Sequence, residues 1–137
     1  MKTEVSSDSI TDISMRAGEL MLRSGGETYR TEEFVEHTAS ALGAKDVSSF
    51  VTPTVVIASF TDKENHHHSA IRRVKDRRVN LRKLSQVNML SRRLMNVERR
   101  TNPDLIESIL ARISQSPDHS PFVVILAAAL SSFCFFF

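Results

Sequence analysis

The chain has a single cysteine, Cys134, among its 137 residues. No disulfide can form within the chain, so the sequence excludes the small secreted modules that depend on disulfides. The N-terminus, MKTEVSSDSITD, carries one lysine and lacks the apolar core of a signal peptide. We therefore expect the polar part of the chain to be made and kept in the cytosol.

Motifs of the common enzyme classes are also missing. No loop has the Gly-Lys-Ser/Thr ending of a Walker motif, and no strand pattern precedes the glycine pair as a dinucleotide fingerprint requires. No Gly-x-Ser-x-Gly elbow occurs, and Cys134 lies in an apolar stretch that is unsuited to a reactive thiolate. The sequence therefore predicts no catalytic residues, no cofactor and no enzyme activity.

Charge is unevenly distributed, although the net charge is only +2. Residues 1–65 carry 6 basic and 11 acidic residues, whereas residues 66–137 carry 12 basic and 5 acidic residues. The basic half suits a domain that lies against an anionic cytoplasmic membrane surface. A solvated basic helix surface is the alternative interpretation.

The last sixteen residues, FVVILAAALSSFCFFF, contain no charged residue, no proline and no glycine. A helix of this length reaches about 24 Å, against about 30 Å of bilayer hydrocarbon. We therefore predict a partial transmembrane helix at residues 122–137 and a location at the plasma membrane. A linker at 117–121 would join it to a cytosolic α+β domain at 9–116, and residues 1–8 are expected to be a flexible N-terminus.

Two helices are predicted in the first third of the chain. Ser9 can cap the first, with Asp12 as its capping-box partner. The pair Gly25-Gly26 ends this helix, because glycine accepts the left-handed conformation that a helix terminus often needs. The second helix starts two to five residues after the pair and stops at Gly43. These two helices should form an antiparallel hairpin.

Three strands and two helices should follow. The runs VSSFV and TVVIASF, separated by Pro53, and the run HHHSAIRRV predict an antiparallel β-meander. A third helix starts near Asn80, and Asn102 caps a fourth with Pro103 at its first position. The third helix should share one apolar face, formed by Leu81, Leu84, Val87, Ser91 and Leu94. The predicted class is thus α+β: a helix hairpin, a short antiparallel meander, two further helices and a truncated C-terminal membrane helix.

Residues 24–30, SGGETYR, are the main candidate for a binding site. Two glycines before a helix start can direct backbone N–H groups at an anion such as a carboxylate. The candidate substrate-binding residues are Ser24, Gly25, Gly26, Glu27, Tyr29 and Arg30. The alternative is a plain turn between two helices. The nearby carboxylates Glu32, Glu33 and Glu36 are expected only to favour the dipole of the second helix.

Metal and nucleic-acid sites are not expected. In a strand, His66 and His68 would face the same side and could share a metal, but His37 and His119 are isolated and complete no site. A basic run has no interleaved aromatic residue for base stacking, so we expect no nucleic-acid partner and favour a membrane or docking surface. That run comprises Arg72, Arg73, Lys75, Arg77, Arg78, Arg82, Lys83, Arg92 and Arg93.

Three ordered blocks carry a family resemblance. They read AGELMLRSGGETYRTEEFVEHTASALGA, then VTPTVVIASF, then RVNLRKLSQVNMLSRRL. Together with the apolar tail, they resemble the N-terminal cytosolic domain and first transmembrane helix of the threonine/serine exporter family of bacterial and fungal transporters. The resemblance extends from about Ile13 to the end of the chain.

The resemblance implies export of small amino acids such as threonine and serine, driven by the proton gradient; some relatives handle dicarboxylates instead. Many members are split between two polypeptides. The resemblance therefore implies that the remaining transporter helices, or a separate transporter subunit, are partners of this chain. It also implies contact with the lipid bilayer and assembly into an oligomer. Because one partial helix cannot enclose a substrate path, we expect no transport by this chain alone. A membrane-tethered module with its own ligand-binding or enzymatic activity is the alternative function.

Overall fold

The computed structural model describes residues 4–97, 101–118, 125–126 and 128–132. Seven elements follow one another along the chain. They are α1 (Ser7–Arg23), α2 (Thr28–Ala41), β1 (Lys45–Thr52), β2 (Val55–Thr61), β3 (His67–Arg73), α3 (Leu81–Met95) and α4 (Pro103–Gln115). This order confirms the predicted α+β class, with a helix hairpin, a meander and two further helices.

Helices α1 and α2 end in the same way, with a Schellman motif. Gly25 has φ of 97° and Gly43 has φ of 103°, so each glycine adopts the left-handed conformation predicted for it. The start of α1 differs from the prediction. Ser6 is the N-cap, and its side chain accepts a hydrogen bond from the N–H of Ser9. The serine run offers several caps, and the helix begins at the earlier one, Ser7 being its first residue.

The three strands form an antiparallel sheet in the order β1-β2-β3. Phe50 of β1 lies opposite Ile57 of β2, which in turn lies opposite Ile71 of β3. These three residues point away from the helices, and Phe50 and Ile71 are 60% and 74% exposed. Helices therefore cover only one face of the sheet, and the outer face carries a short apolar row.

Helix α2 also covers the free edge of β1. Glu36 Oε1 accepts hydrogen bonds from the backbone N–H of Ser49, at 3.1 Å, and from its hydroxyl, at 2.9 Å. Glu32 Oε1 accepts the N–H of Val51 at 2.9 Å. The expectation that Glu32 and Glu36 only favour the helix dipole is wrong. Their carboxylates accept N–H groups of β1 that a neighbouring strand would otherwise accept.

Helix α3 begins next to Asn80, as predicted, and α4 begins at its predicted cap, Asn102. The side chain of Asn80 accepts the N–H of Lys83, and that of Asn102 accepts the N–H of Asp104. The buried residues of α3 are Val87, Leu90 and Leu94. Leu81, placed on the buried face by the sequence pattern, is 69% exposed, so the true face is rotated toward Leu90.

Helix α1 supplies both parts of the core. Ile13, Ala17 and Met21 pack with α2, α3 and α4, whereas Met15 and Leu22 pack against the inner face of the sheet. Close approach is possible at Gly18, where an added Cβ would lie only 2.5 Å from Cγ2 of Val35.

Part of the apolar tail is described. Residues 125–126 and 128–132 are helical and exposed. Within the described residues, no helix combines the length and the apolar composition that crossing a membrane requires. The remainder of the predicted span at 122–137 lies outside the described residues.

Candidate functional site

The glycine pair of the candidate segment is engaged by the end of α1. Gly26 N–H donates to the carbonyl of Met21 at 2.9 Å, and Gly25 N–H donates to the carbonyl of Leu22 at 3.2 Å. The Ser24 hydroxyl donates to the carbonyl of Leu20 at 2.7 Å. The two glycine N–H groups thus satisfy carbonyls that the helix terminus would otherwise leave unpaired. Neither N–H is directed at a ligand in this structure.

The segment between β3 and α3 packs onto the same turn. The N–H of Arg78 donates to the carbonyl of Arg23 at 2.9 Å, and the N–H of Asn80 donates to the carbonyl of Ser24 at 3.0 Å. The Arg77 guanidinium donates to the carbonyl of Gly26 at 2.8 Å. The turn therefore joins the end of α1 to the start of α3 through main-chain hydrogen bonds.

The remaining residues of the candidate segment lie on the surface. Arg30 Nε donates to the Tyr29 hydroxyl at 3.2 Å and lies 3.8 Å from the Glu27 carboxylate. The hydrogen bond to Tyr29 is the main reason that the pKa of Arg30 is raised above its ordinary value. Ser24 and Gly26 are buried, while Glu27, Tyr29 and Arg30 are exposed, so the segment presents its polar side chains outward. Substrate contact by these six residues remains a prediction.

A cavity of about 330 Å³ lies beside this turn, between α1, the segment leading into α3, and α4. Ser24 belongs to both the turn and the cavity wall. The other residues that line the cavity are Arg16, Glu19, Leu20, Arg23, Asp76, Arg78, Asn80, Lys83, Leu110, Ala111, Ser114 and Asp118. The volume falls within the range of small-molecule sites, but the lining is more charged than in most of them.

Four cationic and three acidic side chains line this cavity. Arg23 lies 3.6 Å from the Glu19 carboxylate, and Arg16 lies 2.8 Å from Glu107, which is outside the cavity. Within the described part of the chain, Arg78 makes no ion pair shorter than 4 Å. Its charge therefore lies at the cavity without a paired carboxylate from residues 4–97 or 101–118.

Asp118 closes one side of the cavity. Its Oδ1 accepts a hydrogen bond from Asn80 Nδ2 at 2.8 Å and forms an ion pair with Lys83 Nζ at 3.1 Å. Lys83 and then Asn80 lower the pKa of the Asp118 carboxyl, with a smaller contribution from the charge of Arg78. Asp118 is also the last charged residue before the apolar tail.

The histidine cluster has a structural role centred on Asp62. Asp62 Oδ2 lies 2.8 Å from His68 Nε2 and accepts the Ser7 hydroxyl at 3.1 Å, while Oδ1 accepts the backbone N–H groups of Glu64 and His66. The bond to His68 is the main reason that the pKa of Asp62 lies far below its ordinary value. These contacts organise the β2–β3 turn and tie it to α1. Among the described residues, no group of three or more metal-binding side chains is close enough to hold an ion.

Sequence reasoning found the turn and missed the cavity. Its charged walls come from three segments, and the outermost charged residues, Arg16 and Asp118, are about a hundred positions apart, so no local spacing pattern links them. The available signals were Asn80, where the third helix was expected to start, and Asp118, the last charged residue of the sequence. Asp62 could have been noticed as an aspartate opening the polar turn TDKEN, a position where its side chain often bonds the following N–H groups.

Comparison with known proteins adds one finding. The family model ThrE, described as "Putative threonine/serine exporter", matches residues 12–137. The match includes all of α2 to α4, both sides of the cavity and the apolar tail. No curated protein and no solved structure matches the chain.

Proposed function

Because this chain belongs to the threonine/serine exporter family, we propose that it forms the cytosolic domain and the first membrane segment of an amino-acid exporter. The observation that carries the proposal is the single family match over residues 12–137, which spans the folded domain and the tail without interruption. Threonine and serine are the proposed substrates of the complete assembly, with dicarboxylates as the alternative.

The distribution of charge supports an orientation for the domain. Basic residues dominate the half of the chain that joins the tail, and exposed arginines such as Arg92 and Arg93 lie on α3. An anionic cytoplasmic leaflet attracts such a surface by about 1 kcal/mol for each basic residue close to it. We therefore place the domain in the cytoplasm, at the plasma membrane.

Transport requires more membrane helices than the one apolar segment supplies. A path for a polar amino acid must be enclosed by several helices, since isolated polar groups are unstable in hydrocarbon. We propose that the further helices belong to the remainder of the transporter or to a separate subunit, and that the assembly is oligomeric. Export by the 137-residue chain alone is not expected.

Cysteine labelling tests the orientation. In a Cys134→Ala background, Ser40→Cys places one thiol on the exposed surface of α2. A membrane-impermeant maleimide should label this cysteine only after the cells are permeabilised. A periplasmic protein with an engineered cysteine serves as the control that labels in intact cells. Labelling of Ser40→Cys in intact cells would place the domain outside and overturn the proposal.

The cavity favours a second function, a membrane-tethered module that binds its own ligand. Its volume of about 330 Å³ is adequate for a small metabolite. Efflux measurements separate the two functions. Loss of threonine efflux on deletion of the domain, with the membrane helices retained, supports the exporter component, whereas unchanged efflux supports an independent module.

A further inference from the structure

We propose that the cavity between α1, α3 and α4 is a binding site for a small carboxylate, and that Asp118 is its intramolecular competitor. This binding does not depend on the transport function proposed above. It concerns the domain itself and a ligand that reaches it from the cytosol.

The chain already places one carboxylate in this site. A single oxygen of Asp118, Oδ1, accepts a hydrogen bond from Asn80 and forms an ion pair with Lys83. An amide donor and an ammonium group that converge on one oxygen favour a carboxylate at this place. Asn80 is buried, and its side-chain oxygen is fixed by the N–H of Lys83, so its NH₂ group is held in place toward Asp118. The donors are therefore oriented before any ligand arrives.

Arg78 gives the site a cation that Asp118 does not neutralise by direct contact. Its backbone is fixed by the hydrogen bond to the carbonyl of Arg23, and its side chain lines the cavity. Arginine presents a planar fork of donors that matches a carboxylate. A ligand carboxylate can thus be held between Lys83 and Arg78, with the buried Ser24 at the cavity wall.

The rest of the cavity limits the size and kind of ligand. Its volume exceeds that of one carboxylate group, so a body of a few carbon atoms can enter. Asp76 also lines the wall, and its carboxylate can accept a ligand ammonium group. The shared chemistry is a carboxylate on a small body, and the ligand is either a simple acid or an amino acid.

Ligand binding should release Asp118. When another carboxylate takes Lys83 and Asn80, Asp118 loses both of these partners.

Three probes of similar size test the proposal on the purified full chain in detergent micelles at pH 7 and low salt. Lactate carries the carboxylate alone, L-alanine carries carboxylate and ammonium, and ethylamine carries the ammonium alone. Isothermal titration should show binding of lactate and L-alanine and none of ethylamine. Equal affinities for the two acids identify the carboxylate as the recognised group, and tighter binding of L-alanine adds an ammonium contact; either result supports the site.

Variants give opposite signs for the competitor and for the receptor. Asp118→Asn should tighten lactate binding about fivefold, because lactate then no longer has to displace the Asp118 carboxylate from its modest ion pair with Lys83. Arg78→Gln should weaken binding about tenfold or more. Arg82→Gln, on an exposed residue of α3 that does not line the cavity, is the matched control and should stay within about twofold.

Circular dichroism melts accompany each titration, so that a misfolded variant is recognised. Weaker or unchanged binding by a folded Asp118→Asn would overturn the competition. Absence of binding by both acids up to tens of millimolar, or binding of ethylamine as tight as that of lactate, would overturn the site.

Discussion

The substitution Gly26→Ala should destabilise the domain, because the added methyl group would overlap Met21. An added Cβ would lie 2.5 Å from Cγ of Met21 and 2.9 Å from its backbone oxygen. Met21 is buried, and its backbone oxygen accepts the Gly26 N–H. The methyl group would therefore disturb both the end of α1 and the packing of the core. Overpacking of this kind costs about 1–3 kcal/mol. For a domain of about 110 residues we expect the melting temperature to fall by roughly 4–12 °C.

Gly25→Ala acts through a different cause. Its φ of 97° is unfavourable for alanine, and the new Cβ would lie 3.1 Å from Cγ2 of Val79. The expected cost is about 1–2 kcal/mol. Gly43→Ala is the matched control, because Gly43 ends α2 with φ of 103° and lies outside the candidate segment at 24–30. It should lower the melting temperature by a similar amount.

Threonine efflux from preloaded cells, measured with the complete exporter, separates folding from function. If the turn serves only the helix end, efflux of the glycine variants should follow their melting temperatures, and Gly25→Ala should equal Gly43→Ala. If the exposed side chains contact substrate or pore, Glu27→Gln and Arg30→Gln should lower efflux while leaving the melt nearly unchanged. A Gly26→Ala domain that melts at the wild-type temperature would refute the packing argument.

Three further outcomes are expected. Glu36→Ala should cost about 1–3 kcal/mol by removing two hydrogen bonds from the half-buried Ser49, whereas Glu33→Ala on the exposed side of the same helix should cost little; urea unfolding measures both. The pKa of Asp62 is lowered in the folded state, so its contribution to stability is present above the unfolded pKa of about 3.9 and is lost as pH falls through the folded value. Asp62→Asn should therefore reduce the loss of stability between pH 6 and pH 3. An unchanged loss of stability over this range would contradict the prediction. In the tail, Ala128→Leu should impair assembly of the complete transporter far more than Ile125→Leu, as judged by co-purification of its helices, because small residues allow close helix packing.

Local signals predicted the elements well because each depends on a few adjacent residues. Asn80 and Asn102 cap helices by bonding N–H groups two or three positions away, and Gly25 and Gly43 provide the left-handed residue that ends a helix. Ser6 was missed since several serines in a row carry the same capping chemistry, and only packing decides between them.

Features that depend on the tertiary arrangement could not be predicted in the same way. Glu32 and Glu36 bond to β1 because α2 crosses its edge, and nothing in the helix sequence distinguishes this use from exposure to solvent. The cavity similarly needs α1, α3 and α4 in their final positions before Arg16, Lys83 and Asp118 share one wall. Family resemblance supplied the family, and two functions stayed open beside it.

The central position of α1 in the core has a consequence for synthesis on the ribosome. Helix α1 is made first, but one of its partners, α4, is the last helix of the domain to emerge. At about 5–20 residues per second, roughly 4–16 s separate the end of α1 from the start of α4. During that interval the apolar face formed by Ile13, Ala17 and Met21 has only part of its final cover. The nascent domain should therefore present α1 to chaperones until translation has passed α4, and only then acquire its full stability.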